Sequence, residues 1–176
     1  MSRAFIKESD ERLSADELPE RPLSDHPNYV TPHGLDQLHA RVLELQREHA
    51  RLTAQDDPLT RQKKLEIERD LRYHNAQIRR AIMVDPAGQP HDEVRFGAMV
   101  EIRGDDGVRQ TFHLVGDDEA DVASACISWA APLAKALIGA KVGDRITWQR
   151  SAGPAEIEIV AIRYPSSERA GAPRET

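Results

Sequence analysis

The chain has 176 residues, of which 39% are hydrophobic and 31% charged, and its net charge at pH 7 is −6. That length fits one ordinary domain or two small ones, and the negative charge argues against sequence-specific or nonspecific DNA binding, which needs a basic surface. No apolar run approaches the roughly 20 residues needed to cross a bilayer, so we expect no membrane partner. The start of the chain is too acidic for a secretory signal, and the single cysteine fits a reducing cytoplasm.

Residues 1–28 are polar and show no hydrophobic period. The stretch PERPLSDHP, residues 19–27, contains three prolines, and each proline biases the residue before it toward extended conformations. The sequence therefore predicts a flexible or extended acidic arm.

Residues 29–84 carry a helical pattern. Thr31 is a good helix N-cap and Pro32 suits the first helical position, where its missing N–H costs nothing. Apolar residues then recur at alternating spacings of three and four, and the alternation resumes more weakly after the break at Asp57 and Pro58. Two such segments joined by a short break predict an antiparallel coiled-coil hairpin with arms about 33–37 Å long.

The break itself, TAQDDPLTRQ, has two interpretations. Asp56 and Asp57 at the tip of the hairpin could bind a divalent metal. Alternatively, Asp57 caps the second helix, with Pro58 at its first position, and the acidic charges suit the positive end of the helix dipole. A basic cluster follows, which is either a solvated helix face or a phosphate-binding surface. Its members are Arg61, Lys63, Lys64, Arg69 and Arg72.

Beyond a Pro- and Gly-containing linker at 85–95, the hydrophobic period falls to two. Residues 96–165 predict a small domain in which a mainly antiparallel sheet packs on one short helix, and residues 166–176 are expected to be disordered. The chain as a whole is therefore expected to be of the α+β class. The predicted strands are 98–104, 109–116, 124–129, 144–150 and 155–163, and the predicted helix is 132–139.

Three segments resemble the GreA/GreB family of bacterial transcript-cleavage factors. They are VEIRGDDGVRQTFHLVGDDEAD (100–121), ISWAAPLAKALIGAKVGD (127–144) and YVTPHGLDQL (29–38). The resemblance implies an N-terminal coiled coil followed by a C-terminal domain similar to the FK506-binding-protein fold. It also implies that this domain binds RNA polymerase at the rim of the secondary channel, while the hairpin reaches toward the active site. Acidic residues at the tip would then help the polymerase hold a second Mg²⁺ for cleavage of backtracked RNA.

The resemblance implies roles for three groups of residues. The predicted polymerase-binding residues are Asp117, Asp118, Glu119, Asp121, Pro132 and Lys135. Asp56 and Asp57 are the catalytic and metal candidates at the tip, and they would act only in the complex with polymerase. Arg61, Lys63 and Lys64 are the candidates for contact with a backtracked RNA 3′ end. The protein is expected to be a monomer with no cofactor of its own, an accessory factor rather than an enzyme, and any Mg²⁺ is shared at the polymerase active site.

The sequence also departs from that family. Its usual acidic tip motif, similar to GD-x-SENAEY, is absent, and the hairpin is about a dozen residues shorter, which removes roughly 9 Å of reach. Ala130 and Ala131 stand where the family has polar side chains before the helix. These departures favour a polymerase-binding elongation regulator with weak or altered cleavage stimulation. The alternatives are a fully active cleavage factor using Asp56 and Asp57, a protein-interaction module with another partner, and a peptidyl-prolyl isomerase suggested by fold alone.

Overall fold

The computed structural model describes residues 18–53 and 57–165. Two long helices, α1 (Pro32–Thr53) and α2 (Pro58–Arg80), are flanked by the short strands β1 (Asn28–Val30) and β2 (Ala81–Met83). The remaining elements form the C-terminal part: β3 (Met99–Gly104), β4 (Arg109–Val115), β5 (Cys126–Ser128), α3 (Pro132–Leu137), β6 (Arg145–Trp148) and β7 (Ala155–Arg163). Among the described residues, neither long helix carries a stretch apolar enough to cross a membrane.

The predicted hairpin is confirmed. The Thr31 side chain caps α1, because its Oγ1 accepts a hydrogen bond from the Gly34 N–H at 3.0 Å. Leu38, Val42 and Leu45 are buried along α1, at the three- and four-residue spacing that places them on one face. Ile67 is the buried apolar residue of α2 that faces this stripe. At 22 and 23 residues, the helices are about 33 and 35 Å long.

Polar pairs join the two helices nearer the tip. His49 Nε2 lies 2.8 Å from Glu68 Oε1, and Lys63 Nζ lies 2.7 Å from Glu48 Oε1. The hydrogen bond from Lys63 is the main cause of the lowered pKa of Glu48. Pairs as exposed as these contribute little stability, but they match α1 to α2 in one register.

The strands β1 and β2 pair in parallel, which the sequence did not predict. Asn28 stands opposite Ala81 and Val30 opposite Met83, and the Val84 N–H donates to the Val30 carbonyl at 2.9 Å. This pairing brings the two ends of the hairpin together before the chain enters the C-terminal domain. Strands of three residues are too short to show a hydrophobic period, which explains why they were missed.

The C-terminal domain is a five-stranded sheet in the order β5-β4-β3-β7-β6. All neighbouring strands are antiparallel except β4 and β5, which are parallel. Alternate residues of β3 and β7, such as Val100 and Ile159, pack with Leu137 of α3, and all three are fully buried. The predicted α+β class, a helical hairpin followed by a mainly antiparallel sheet with one short helix, is confirmed.

An aromatic cluster lies where the hairpin enters the domain. The ring of Tyr29 in β1 packs edge-on against Trp129 at 5.0 Å and lies 5.9 Å from the ring of Phe96. These contacts bury apolar surface between the base of the hairpin and the segment just before α3. The cluster therefore forms one side of the junction between the hairpin and the domain.

Candidate functional site

Glu119 links the acidic loop after β4 to the first turn of α1. One carboxylate oxygen, Oε1, accepts from the backbone N–H of Thr31 at 3.0 Å and from that of Gly116 at 3.3 Å. The other, Oε2, accepts from the Thr31 hydroxyl. Because the same hydroxyl accepts from the Gly34 N–H, Glu119 supports the helix cap from a distant part of the chain. A carboxylate also suits the positive end of the helix dipole.

Asp118 links the same loop to α2. Its Oδ1 accepts from the Tyr73 hydroxyl at 3.0 Å, and its Oδ2 accepts from Gln77 Nε2 at 2.7 Å. Burial, together with the nearby Asp118 charge, raises the pKa of Tyr73, so this hydroxyl keeps its proton and remains a donor. Gln77 is only 3% exposed, so Asp118 provides an acceptor that its buried side-chain NH₂ group needs. The acidic loop thus grips both helices at the base of the hairpin.

The two outer acids of the loop shape the chain locally. Asp117 accepts from the Ser128 hydroxyl, which in turn accepts from the Ala130 N–H at 3.1 Å, and this sets the turn that leads into α3. Asp121 accepts from the Ser124 hydroxyl and from the Ala123 N–H, and these bonds lower the pKa of Asp121.

All four acids predicted to bind polymerase therefore have partners within the chain. Asp118 and Asp121 are nevertheless exposed, as are Pro132 at the start of α3 and Lys135 on its surface, whereas Asp117 and Glu119 are half-buried. Ala131 before α3 gives no side-chain cap to that helix. The docking role of these residues stays a prediction, and the exposed members are the ones able to meet a partner without rearrangement.

The carboxylate of Asp57 at the hairpin tip caps α2. Its Oδ1 accepts from the N–H groups of Leu59 at 3.1 Å and Thr60 at 3.0 Å, and its Oδ2 accepts from the Thr60 hydroxyl. The hydrogen bonds from Thr60 are the main cause of the lowered pKa of Asp57. The capping interpretation is confirmed for this residue. Asp56 lies outside the described residues.

The role of Asp57 as a ligand to a Mg²⁺ shared with polymerase stays a prediction. Both oxygens of Asp57 are used by the helix, and Mg²⁺ requires near-ideal octahedral geometry from its oxygen ligands. Across residues 18–53 and 57–165, no group of three or more His, Cys, Asp or Glu side chains is arranged to hold a metal ion. We therefore derive no step through a metal at Asp57.

Two substitutions at position 57 separate the cap from the charge. Asp57→Ala removes the acceptor for two backbone N–H groups, and we expect the Tm to fall by a few degrees. Asp57→Asn keeps a good N-cap and should leave the Tm nearly unchanged. Thermal unfolding followed by circular dichroism of both variants measures this. Equal Tm values for Asp57→Ala and wild type would show that the cap does not stabilise the hairpin.

The basic cluster is partly paired with acids. The Lys63 ammonium contacts Glu48, and Arg72 contacts Glu20 of the N-terminal segment. Lys64 is half-buried and Arg61 is exposed. Contact of Arg61, Lys63 and Lys64 with RNA stays a prediction.

Sequence reasoning missed three residues at the base of the hairpin: Tyr73, Gln77 and Asn28. The available signal in the sequence was the position of Gln77, directly before the apolar Ile78 of the helix seam. A polar residue beside the seam is partly buried and therefore needs a hydrogen-bond partner from another element. That partner is Asp118, which no helical pattern in the hairpin could identify.

Several known proteins are similar to this chain. The protein-family model described as "Transcription elongation factor, GreA/GreB, C-term" matches residues 89–164. Transcription elongation factor GreB of Neisseria meningitidis serogroup B is 42% identical over 100 residues, which cover 56% of this chain and 61% of that protein. Transcription elongation factor GreA of Thermodesulfovibrio yellowstonii is 38% identical over 105 residues, which cover 59% and 66%. A solved GreA/GreB factor from Nitrosomonas europaea is 24% identical with a TM-score of 0.40, covering 77% of this chain and 98% of that one.

The C-terminal domain of this chain belongs to the GreA/GreB family of transcription elongation factors. The chain spans about three fifths of the length of the first curated relatives that it matches.

Proposed function

We propose that this protein is a regulator of transcription elongation that binds bacterial RNA polymerase through the secondary channel and stimulates transcript cleavage weakly or not at all. The observation that carries the proposal is the commitment of Asp57 to the cap of α2, with both of its oxygens accepting hydrogen bonds within the chain. A tip whose carboxylate maintains its own helix has little left to offer a second Mg²⁺ in the polymerase.

Binding to polymerase is supported by the C-terminal domain. The family match covers this whole domain, and relatives in the match are named transcription elongation factors. Asp118, Asp121, Pro132 and Lys135 are exposed, and all four lie between the end of β4 and the end of α3 in the chain. We assign these exposed side chains to the rim of the channel, where charged side chains speed and orient association.

The hairpin is the element proposed to enter the channel. Helices of 22 and 23 residues provide about 33–35 Å of rod. Arg61, Lys63 and Lys64 lie in the first two turns of α2, where they can contact phosphates of a backtracked RNA 3′ end. The protein then occupies the channel and the path of the RNA, and the chemistry of cleavage belongs to the polymerase in the cytoplasm.

One observation favours the alternative, a fully active cleavage factor. The Asp57 side chain is exposed, and its lowered pKa keeps it ionised at neutral pH. Asp56 precedes it in the sequence, so two acidic residues are adjacent in the chain, as a pair of ligands to a shared Mg²⁺ would require.

The peptidyl-prolyl isomerase alternative has less support. An isomerase needs an open aromatic cleft, whereas Phe96 and Trp129 pack on Tyr29 at the hairpin junction. Their rings are engaged in holding two parts of the chain together.

The proposal is tested with backtracked elongation complexes carrying RNA labelled at its 3′ end. We expect the wild-type protein to release short 3′ fragments at a rate close to that of polymerase alone. Strong release by wild type, abolished in Asp56→Asn/Asp57→Asn, would overturn the proposal in favour of the active factor. Because asparagine keeps the helix cap, loss of activity in that variant would result from the lost negative charge and not from unfolding of the hairpin.

A further inference from the structure

We propose that residues 20–28, here called the brace, hold the hairpin in one direction relative to the C-terminal domain. The brace has no helix or strand of its own before β1 begins at Asn28. It nevertheless contacts α2 on one side and the segment before α3 on the other. It therefore bridges the helical hairpin and the C-terminal domain. These two parts must keep a fixed relative geometry if the docked domain is to set the direction of the hairpin.

The first half of the brace lies against the middle of α2. The Arg72 guanidinium donates twice to Glu20 Oε1, at 2.9 Å from Nε and 2.6 Å from Nη2. The next residue, Arg21, places its guanidinium 3.8 Å from the centre of the Tyr73 ring and 3.6 Å from Asp70. Two adjacent brace residues thus contact two adjacent residues of α2. Glu20 forms an ion pair with Arg72, and Arg21 forms a cation–π contact with Tyr73.

The second half of the brace is held through its backbone at the end of α2. Arg80 Nη2 donates to the carbonyl of Ser24 at 2.6 Å and to that of His26 at 3.2 Å. Asn28, only 6% exposed, donates from Nδ2 to the Gln77 carbonyl at 2.9 Å. The Ser24 and His26 carbonyls accept from Arg80 whatever their side chains are, so these two bonds fix the path of the backbone. The Asn28 bond depends on the amide side chain of that residue.

The other side of the brace touches the C-terminal domain. The His26 ring lies 5.9 Å from the ring of Trp129, edge to face, and Trp129 packs in turn on Tyr29. Trp129 directly precedes Ala130 and Ala131, in the turn that leads into α3, whose exposed residues are assigned above to the channel rim. The brace thus connects that turn to Arg72, more than two helical turns up α2 from its end at Arg80.

The reason to expect an effect on hairpin direction is geometric. The acidic loop holds α1 through Glu119 and holds α2 through Asp118, which reaches Gln77 and Tyr73. The brace holds α2 at Arg72, beside the Tyr73 contact and about 12 Å from Arg80 at 1.5 Å per residue. Its contacts with Asp70 and Arg80 extend this attachment along the helix on either side. Each contact is weak by itself, but all of them lie on one short segment of chain. Once the first contact has formed, the effective concentration of the other brace residues near α2 is higher, so the next contact forms more readily.

The brace is tested on the full chain by a distance measurement. Spin labels are placed on Leu59→Cys at the tip, 80% exposed, and Val108→Cys on the β3–β4 turn, 54% exposed, in a Cys126→Ser background. The parent protein should give one narrow distribution of distances. In Glu20→Ala/Arg21→Ala/His26→Ala we expect this distribution to broaden, and hydrogen exchange of the Val84 amide to accelerate about tenfold.

Three further variants serve as controls for this test. Arg109→Ala removes an exposed ion pair of the same kind, with Glu101, away from the brace, and should leave the distribution narrow. Glu20→Arg should broaden the distribution, and the reversed pair Glu20→Arg/Arg72→Glu should narrow it again. A distribution that stays narrow in the triple variant, or that the reversed pair fails to restore, would overturn the proposal.

The distance and exchange measurements use the isolated protein, so the test of the brace does not depend on the proposed function. Only the effect of the brace inside the polymerase channel rests on that function. A broadened distance distribution in the triple variant, combined with no binding to polymerase, would support the brace and refute the proposed regulator. An unchanged distribution combined with binding to polymerase would refute the brace and support the regulator.

Discussion

Glu119→Ala is expected to lower the free energy of unfolding by about 2–3 kcal/mol, through loss of charge-assisted hydrogen bonds and of a helix cap. The substitution removes the acceptor for the Thr31 N–H, the Thr31 hydroxyl and the Gly116 N–H at once. Thr31 is only 5% exposed, so water cannot readily replace the lost acceptor. The measurement is equilibrium unfolding in urea, with amide exchange of α1 recorded alongside.

Two controls accompany this variant. Asp121→Ala removes a carboxylate of the same loop that only caps a local turn, so its effect should be much smaller. Glu119→Gln keeps an acceptor oxygen but not the charge, and should fall between the wild type and Glu119→Ala. Unfolding curves for Glu119→Ala and Asp121→Ala that coincide would contradict the assignment of Glu119 as the link between domain and hairpin.

Gly34→Ala is expected to destabilise the protein by about 1–3 kcal/mol, the usual cost of overpacking. On an exposed helix the same change would stabilise by up to about 1 kcal/mol, because alanine has the higher helix propensity. Here a Cβ at position 34 would lie 2.0 Å from Cδ of Glu119 and 2.2 Å from its Oε1. Glu119 cannot move away from the added Cβ without losing its hydrogen bonds with Thr31. Relief of the steric clash therefore costs the connection between the acidic loop and α1.

The matched control for this prediction is Gly88→Ala. A Cβ at position 88 would meet no atom within 4 Å, so we expect a change of less than about 0.5 kcal/mol. Urea unfolding of both variants decides the sign. A Gly34→Ala protein more stable than wild type would mean that Glu119 moves freely and does not hold the hairpin.

Sequence reasoning predicted most of the elements because their patterns are strong. Thr31 and Pro32 marked the start of α1, and Asp57 and Pro58 marked the start of α2, through the chemistry of helix caps. The strands β3, β4 and β7 followed from alternation. The helix α3 ends at Leu137, two residues before the predicted end, because Ile138 already leaves helical geometry as the C-cap.

The junction could not be predicted in the same way. Glu119 and Thr31 are 88 residues apart, and Asp118 and Gln77 are 41 apart, so no local spacing connects them. The acidic loop therefore looked like a surface for a partner, when its carboxylates also satisfy donors at the base of the hairpin. The arm was predicted from its prolines as flexible or extended, and nothing in its composition indicated that Glu20 and Arg21 meet α2.

We have proposed that this protein occupies the secondary channel of RNA polymerase and stimulates cleavage weakly or not at all. Titration of the protein into backtracked elongation complexes that already contain a cleavage-competent GreB factor tests this proposal. We expect the release of RNA 3′ fragments to fall steadily as the protein is added, and we expect Glu119→Ala, with a loosened hairpin, to compete less well. Undiminished release at saturating concentrations of the wild-type protein would contradict this proposal.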